Sequence, residues 1–223
     1  MNEQQKIEFY GFTPVVRDQE ILFKDHPTAS GLNPRQDPFK LEDFPFPDSQ
    51  LVQKVKEFVK GKLNEQTFNH SNRIFIYGVA DAFLATTKMS FEFKGAIIAR
   101  EVILANDGAE DQADGVCEAI VRHQDIFVKG GNITTLGQVL QLSTLLDNVG
   151  LRAHLIHPDL IAGTCAAFPR KGWSDCFART IEKELSIKPW CHSTTFEIPG
   201  WVEGVPSNFA RDVRGNDFMK KYD

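Results

Sequence analysis

An aspartate on the apolar side of a predicted helix is the strongest chemical feature of the sequence. Asp147 follows Ser143 by four residues and Leu140 by seven, so helical periodicity places its carboxylate on the face that Leu140 buries. A buried carboxylate destabilises a fold or is neutralised unless an opposite charge or a donor meets it. We therefore expect a metal ion, an arginine or a helix N-terminus beside Asp147. A core aspartate that caps a neighbouring helix explains the pattern equally well.

Two histidines and an arginine lie on the inner faces of other predicted helices. His70 and Arg73 are three residues apart and Tyr77 is seven residues from His70, so these side chains share roughly one helical face. His123 ends the apolar face of another helix. Helical cores build metal sites from inward polar groups on several helices, and His70, His123 and Asp147 predict such a site. A core histidine that hydrogen-bonds a carbonyl is the alternative for either histidine taken alone.

The remaining candidates indicate less chemistry. His154 and His157 lie in a short stretch between two predicted helices, where a solvated loop is the simpler interpretation. Residues 188–192 are compact and aromatic, which favours packing at the exit of the last helix. Gly130-Gly131 lacks the lysine and hydroxyl residues that complete a phosphate-binding loop, so no nucleotide phosphate site is predicted.

The composition is that of an ordinary globular domain. The 223 residues are 42% hydrophobic and 25% charged, enough for one domain or at most two small ones. The net charge of -5 disfavours nucleic acid and an anionic membrane surface as partners, and no apolar run is long enough to span a bilayer. The first ten residues lack the apolar core of a signal peptide. The four cysteines form no C-x-x-C pair, which predicts free thiols and a cytoplasmic or nuclear location.

Helices are the elements that must position these residues. Stretches with apolar residues at helical spacing are bounded by residues that favour a helix start, such as Ser49 and Pro158, or a helix end, such as Gly150. The predicted helices cover 51–63, 67–80, 90–103, 109–123, 136–149, 158–168 and 173–185. In the third, the predicted apolar face consists of Phe93, Ile97, Ile98, Val102 and Ile103.

The fold class that follows is all-α. No strand-like alternation extends over a useful length. Residues 1–47 read as an irregular N-terminal arm, 48–192 as the helical domain, and 193–223 as a C-terminal extension that is either irregular or loosely docked.

Six short motifs resemble, in the same order, those of fungal cyanamide hydratases, a family of the HD-domain superfamily. They are Asn69-His70-Ser71-Asn72-Arg73, Thr87-Lys88-Met89-Ser90-Phe91-Glu92, Arg122-His123-Gln124-Asp125, Ile133-Thr134-Thr135-Leu136-Gly137, Leu146-Asp147-Asn148-Val149-Gly150 and Lys188-Pro189-Trp190, and the turn Phe168-Pro169-Arg170 joins them. The resemblance covers most of 10–192. It implies an HD-type helical bundle that adds water to the nitrile of cyanamide, giving urea, at one divalent metal ion, which in this family is zinc.

One departure from the family pattern concerns the His-Asp pair that gives the superfamily its name. No histidine in this sequence is followed by aspartate. The similarity runs through Tyr77-Gly78-Val79 and resumes at Asp81-Ala82-Phe83-Leu84. The second core helix, which carries the pair, is therefore expected to be deleted near 80–81.

By resemblance, the metal ligands that remain are His70 and Asp147, half of the expected set. The metal would lower the pKa of a bound water so that hydroxide attacks the nitrile carbon. His123 would protonate the nitrogen, and Lys88 or Thr87 would orient the substrate. Catalytic zinc sites usually keep three protein ligands, so we expect zinc to bind weakly and the activity to be impaired.

Two other functions remain open. The shortened chain is alternatively an inactive HD-domain relative that acts as an interaction protein, for example with intact copies. A third candidate is an HD metal-dependent phosphohydrolase, which phosphate release from nucleotides would reveal. The predicted partner is a small nitrile, with association of identical chains left open and neither nucleic acid nor membrane expected.

Overall fold

A computed structural model describes residues 1–17, 21, 47–74, 88–128, 130–195 and 209–223. The described part is all-α, as predicted. Its helices are α1 (Glu3–Phe9), α2 (Gln50–Lys62), α3 (Glu65–Ile74), α4 (Phe91–Ala105), α5 (Glu110–Arg122), α6 (Thr135–Val149), α7 (Pro158–Ala167), α8 (Trp173–Ile187), α9 (Phe209–Arg214) and α10 (Asp217–Lys220). Three 3₁₀ turns cover Asp125–Phe127, Ala153–Leu155 and His192–Thr195. Among these residues, no helix is long and apolar enough to cross a membrane.

The expectation of an irregular N-terminal arm was wrong for residues 3–9 and 14–16, which form α1 and a short strand that pairs with a second strand of the helical domain. β1 (Pro14–Val16) pairs with β2 (Asn132–Thr134) in antiparallel register, with Val15 opposite Ile133. The rest of the arm, from 22 to 46, and the junction at 80–81 lie outside the described residues. The predicted absence of the second core helix is therefore not tested by the fold.

Local signals explain where the main helices begin and end. The Ser49 hydroxyl accepts a hydrogen bond from the Val52 amide over 3.2 Å and so caps α2. Thr134 caps α6 in the same way, and Gly150 ends that helix with a left-handed φ of 73°. Pro158 occupies the first turn of α7. These boundaries confirm the predicted starts of α2 and α7 and the predicted end of α6.

Helix α6 is the centre of the fold. Leu145 and Val149 pack with α8 and α9, Leu140 packs with α4 and α5, and Leu146 packs with α7 and α10. Every residue from 144 to 149 is buried. Asp147 therefore lies in a continuously buried stretch of α6, where its charge requires partners.

The buried face of α4 differs from the predicted one. Phe93 and Ile97 are 39% and 40% exposed, while Phe91 and Ala96 are buried and Glu92 is fully buried. Ile98 and Ile103, also on the predicted face, are buried. The helix is apolar on most sides, so periodicity alone does not select the face that packs.

The C-terminal residues are docked firmly, so the expectation of a loose tail was wrong for 209–223. Phe209, Ala210 and Val213 of α9 belong to the core cluster of Leu145. Met219 of α10 packs with Leu146, Ile161 and Cys165. Helices of six and four residues are too short to show a periodic pattern in the sequence, which explains why they were missed.

Candidate functional site

Helices α3 and α6 bring two of the predicted site residues into contact. His70 Nδ1 lies 2.5 Å from Asp147 Oδ2, and both residues are buried, with 3% and 4% of their surface exposed. Asp147 comes from the enclosed half of α6, and His70 comes from the face of α3 that packs on it. The sequence placed both side chains inward, and the structure joins them.

Two arginines complete the surroundings of Asp147. Arg73 donates from Nε to Oδ1 and from Nη2 to Oδ2, each over 3.0 Å, in a two-pronged arrangement. Arg170 donates from Nη1 to Oδ1 over 2.6 Å. Each carboxylate oxygen thus contacts two nitrogen atoms. Of the partners expected for this aspartate, arginine is the one that the described residues supply.

The ionisation of the pair follows from these contacts. Burial raises the pKa of Asp147, but the charge of Arg73, the His70 hydrogen bond and Arg170 outweigh it and hold the pKa far below its ordinary value. Burial lowers the pKa of His70 to about 4. His70 is therefore neutral at pH 7, and because the carboxylate only accepts, its Nδ1 carries the proton and its Nε2 is an acceptor.

Arg170 also ties Asp147 to the rest of the chain. It is fully buried and donates to the Asp147 carbonyl over 2.9 Å, to Ser174 Oγ over 2.8 Å and to Asp223 Oδ1 over 2.8 Å. Asn216 donates to the same Asp147 carbonyl over 3.2 Å. In the sequence, Arg170 stands out only as a member of the Phe168-Pro169-Arg170 turn that resembles the family pattern.

The α3 motif is connected to the turn that carries Arg170. Asn69 Nδ2 donates to the Pro169 carbonyl over 2.9 Å, and Arg73 Nη1 donates to the Phe168 carbonyl over 3.0 Å. Two motifs about a hundred residues apart in the sequence therefore form one polar unit around Asp147.

The described residues do not fit a zinc ion at this position. They contain no group of three or more His, Cys, Asp or Glu side chains that could hold a metal ion. His70 and Asp147 are bonded to each other, and two guanidinium charges lie against the carboxylate that a cation would need. Catalytic zinc sites usually have three protein ligands and an open position.

The described contacts of His123 are with other residues. Its Nδ1 lies 2.6 Å from the Ile120 carbonyl, and its ring meets the Phe91 ring edge to face at 5.8 Å between centroids. Burial lowers its pKa, while Glu92 opposes and His192 reinforces that shift. A histidine bonded to a backbone carbonyl was the alternative weighed for it, and that bond is present.

The motifs at 88–92 and 188–193 meet around the start of α4. Four hydrogen bonds join them and the end of α8: Phe91 N to Glu184 Oε1 at 3.0 Å, Lys188 Nζ to the Met89 carbonyl at 2.8 Å, Trp190 Nε1 to the Lys88 carbonyl at 3.0 Å, and His192 N to Ser90 Oγ at 2.9 Å. Packing at the exit of the last helix was the expectation for 188–192, and these contacts agree with it. Lys88 contributes its carbonyl here, and its side chain is exposed. Thr87 and Tyr77 lie outside the described residues.

Glu92 provides a buried carboxylate at this junction, although nothing in the sequence pattern marked it as a candidate site residue. Glu92 is fully buried, and its Oε1 lies 3.0 Å from His192 Nδ1. Its other oxygen, Oε2, is buried without a hydrogen-bond partner among the described residues. The Glu92 hydrogen bond raises the pKa of His192.

For the remaining candidate residues, His154, His157 and the four cysteines, the structure shows only contacts that a structural role explains. His154 is half-buried in its 3₁₀ turn, and His157 caps α7 by accepting from the Asp159 amide over 3.2 Å. Cys117, Cys165, Cys176 and Cys191 are free thiols, as predicted.

Comparison with known proteins identifies the class to which this fold and site belong. No family model matches the chain. Two cyanamide hydratases of Saccharomyces cerevisiae, DDI2 and DDI3, are each 37% identical to it over 215 aligned residues, covering 83% of this chain and 91% of the relative. The chain belongs to the cyanamide hydratase family.

The same alignment is longer than the part of this chain that it covers. Of its 223 residues, 83% is about 185, whereas the alignment extends over 215 positions. About 30 positions of the alignment therefore have no residue of this chain opposite them.

Proposed function

We propose that this chain is a cyanamide hydratase-like lyase that adds water to cyanamide to give urea. We further propose that its activity is impaired. Similarity to DDI2 and DDI3 over most of their length supports the reaction class. The number of unmatched positions, about 30, agrees with the expected loss of a helix with its connections, the one that carries the His-Asp pair near 80–81.

One observation carries the proposed impairment: both oxygens of Asp147 are already engaged. His70 and Arg73 meet Oδ2, and Arg73 and Arg170 meet Oδ1. A divalent ion would have to displace these donors and sit beside two positive charges. We propose that the family's metal ion, zinc by resemblance, finds no preformed site here, because His70 and Asp147, the expected ligands that remain, are already bonded to each other and Asp147 also to the two arginines.

His123 is the described residue best suited to handle a proton in this reaction. Its Nδ1 is turned to the Ile120 carbonyl, and burial favours the neutral ring, so Nε2 is an acceptor. Nε2 would take a proton from the attacking water as the water oxygen bonds to the nitrile carbon, and the protonated ring would then return that proton to the nitrile nitrogen. Protonation by His123, the role expected from the sequence, is thus the second half of the step, because burial keeps the resting ring neutral. Lys88 and Thr87 remain proposals for orienting the substrate.

Urea formation from ¹³C-cyanamide, followed by NMR, tests the proposal, with DDI2 assayed beside it. We expect a rate at least about 100-fold below that of DDI2, and less than one equivalent of zinc in the same sample by elemental analysis. His123→Gln should lower any residual rate, whereas the control His154→Gln should not.

A chimaera separates the reaction class from the impairment. Inserting the corresponding 30 or so residues of DDI2 between Ala80 and Asp81 should restore zinc binding and urea formation together. Urea formation by the natural chain at the rate of DDI2, with one equivalent of zinc, would contradict the proposed impairment. A chimaera that binds zinc but forms no urea would contradict the proposed reaction.

An interaction protein is the second candidate, and the exposed side of α4 favours it. Phe93, Ile97 and Leu104 lie on one face of this helix, and each is more than a third exposed. Sedimentation velocity of the purified chain tests association through this face. If the chain self-associates, Ile97→Lys should shift it towards the monomer, whereas Val139→Lys, at an exposed site on another helix, should not.

In cells, the proposed location is the cytoplasm or the nucleus. Four free thiols support a reducing compartment. Imaging of a fluorescent fusion would test this location directly.

A further inference from the structure

Three of the described glutamines are buried, although this residue type is mostly exposed in proteins. Gln138 and Gln141 lie three residues apart on α6 and therefore share one face of that helix. Gln124 follows α5. Gln138 is 4% exposed, Gln141 is 0% exposed and Gln124 is 4% exposed. A buried amide destabilises a fold unless hydrogen bonds meet its oxygen and nitrogen, so each of these side chains needs partners.

Contacts on both sides of Gln124 hold it beside the same face of α6. Gln141 Nε2 donates to the carbonyl of Arg122, two residues before Gln124, over 2.9 Å. Ile126, two residues after Gln124, packs against the core cluster that contains Leu145, and Leu145 lies one helical turn beyond Gln141. The turn that carries Gln124 therefore lies against α6 between these two contacts.

Four amide atoms of this group have no hydrogen-bond partner among the described residues. They are Oε1 of Gln124, Oε1 of Gln141, and both Oε1 and Nε2 of Gln138. Because a carbonyl only accepts, the amide of Gln141 must present its nitrogen to Arg122, which leaves its oxygen without a donor. At Gln138 both amide atoms lack partners, so exchanging them does not change the count. The group thus offers three acceptors and one donor.

The charged side chains that the structure describes on this turn are paired with one another. Arg122 Nε lies 3.1 Å from Asp125 Oδ2, and Arg122 Nη1 lies 3.3 Å from Glu118 Oε1. Arg17 Nη1 lies 3.6 Å from the same Asp125 oxygen. Two positive and two negative charges offset each other, so the turn presents no net charge that would select an ion. A neutral molecule that has more N–H donors than acceptors fits such a group.

We propose that Gln124, Gln138 and Gln141 form a binding site for urea. Its two amino groups supply donors for the three Oε1 atoms, and its carbonyl oxygen accepts from Gln138 Nε2. This inference rests on the proposed function, in which urea is the product. Gln141 precedes Asp147 by six residues on α6, about 9 Å along the helix axis, so the site lies beside the His70–Asp147 contact and is separate from it.

NMR titration of the ¹⁵N-labelled chain with urea tests the site through the side-chain amide signals of Gln138 and Gln141. Urea up to about 0.2 M, well below denaturing concentrations, should shift both signals along a saturable curve. A ligand of four non-hydrogen atoms reaches a Kd of roughly 0.04 mM at best, so half-saturation should fall above that concentration. Acetone is the matched control ligand, because it keeps the carbonyl and the size of urea but has methyl groups in place of the amino groups. It should cause no saturable shift.

Two variants remove the amides and keep the length of the side chains. Gln138→Met and Gln141→Met should each raise the Kd of urea about tenfold, measured on the signal of the glutamine that remains. The control Gln50→Met, at an exposed position of α2, should leave the Kd unchanged. If Gln141→Met does not fold because the Arg122 carbonyl loses its donor, Gln138→Met decides the question, since its amide has no partner in the described part of the chain.

Three results would overturn the inference: shifts that never saturate with urea, equal saturable shifts with acetone, or an unchanged Kd in Gln138→Met. Amides that hold only ordered water would respond to neither compound, which also contradicts the proposed site. The titration needs no turnover. A chain that binds urea but does not form it therefore contradicts only the proposed function, and one that forms urea without a saturable shift contradicts only this inference.

Discussion

The indole of Trp173 stacks on the imidazole of His70, with ring centroids 3.9 Å apart and planes 18° apart. Trp173 is itself fixed, because its Nε1 donates to Asn148 Oδ1 over 2.9 Å. Asn148 follows Asp147 on α6, so the same helix that contacts His70 also orients the ring that covers it. The His70–Asp147 contact is thus enclosed by aromatic packing on one side and arginines on the other.

Replacing Trp173 by phenylalanine tests this support. The smaller ring retains stacking but leaves Asn148 Oδ1 without its donor and opens a small void, so we expect a loss of about 1 to 3 kcal/mol in the free energy of unfolding. Urea denaturation followed by circular dichroism measures it. The matched control is Trp190→Phe, because Trp190 is 61% exposed, and it should lose less than about 0.5 kcal/mol. Equal losses in the two variants would contradict the assigned role.

Asp147→Asn should be among the most destabilising isosteric changes in the chain. It removes the negative charge that Arg73 and Arg170 share in a buried position, and a broken buried ion pair costs about 3 to 5 kcal/mol. Asp107→Asn is the control, since Asp107 is exposed and its left-handed φ of 62° suits asparagine equally well. Urea denaturation of both variants should show a large loss for the first and almost none for the second. A stable Asp147→Asn would mean that the arginines do not depend on this charge.

Much of this architecture follows from local sequence signals, whereas the partners of the site do not. Ser49, Pro158 and Gly150 mark helix boundaries through backbone geometry that each residue type imposes nearby. The inward position of Asp147 follows from periodicity. Its partner Arg170 is 23 residues away, in the turn between α7 and α8, so the contact depends on how these two helices pack against α6.

The face of α4 shows a second limit of sequence patterns. Phe93 and Ile97 are as apolar as the residues that the helix buries, so hydrophobicity could not rank the faces. Glu92, the charged residue, is instead buried because His192, a hundred residues further along the chain, supplies its partner. Long-range pairing of this kind is invisible to periodicity.

Docking of the C-terminal helices can be tested with two phenylalanines. Phe209 is buried in the core cluster of Leu145, so Phe209→Ala should lower the free energy of unfolding by about 3 to 5 kcal/mol. Phe218 is 38% exposed and lies under the Lys221 ammonium, so Phe218→Ala should lose less than about 1 kcal/mol. Thermal melts of both variants provide the measurement. Equal, small losses would show that this segment is not part of the core.

The Glu92–His192 pair should stabilise the protein most at acidic pH. The hydrogen bond to Glu92 raises the pKa of His192 in the folded chain above its unfolded value of about 6.5. Its contribution is therefore fully present below pH 6.5 and is lost as the pH rises through the folded value. His192→Asn should accordingly be more destabilising at pH 5.5 than at pH 9 when urea denaturation is measured at both. A larger loss at pH 9 would contradict the assigned direction.

Zinc should leave the thermal stability of this chain unchanged. The oxygens of Asp147 already meet His70, Arg73 and Arg170, so a metal ion gains no preformed site in the folded state. An intact site with zinc at a hundred times its dissociation constant would add about 2.7 kcal/mol and raise the melting temperature by roughly 5 to 10 °C. Calorimetry with zinc and with EDTA should give the same melting temperature within error.

His70→Gln is the variant that makes this zinc measurement decisive. Zinc bound adventitiously at other surface residues would change the melting temperature of the natural chain and of His70→Gln equally. Zinc held by His70 and Asp147 would raise the melting temperature of the natural chain alone, and this result would contradict the prediction. It would mean that Arg73 and Arg170 yield Asp147 to a metal ion, and that ligands beyond the described residues complete the site.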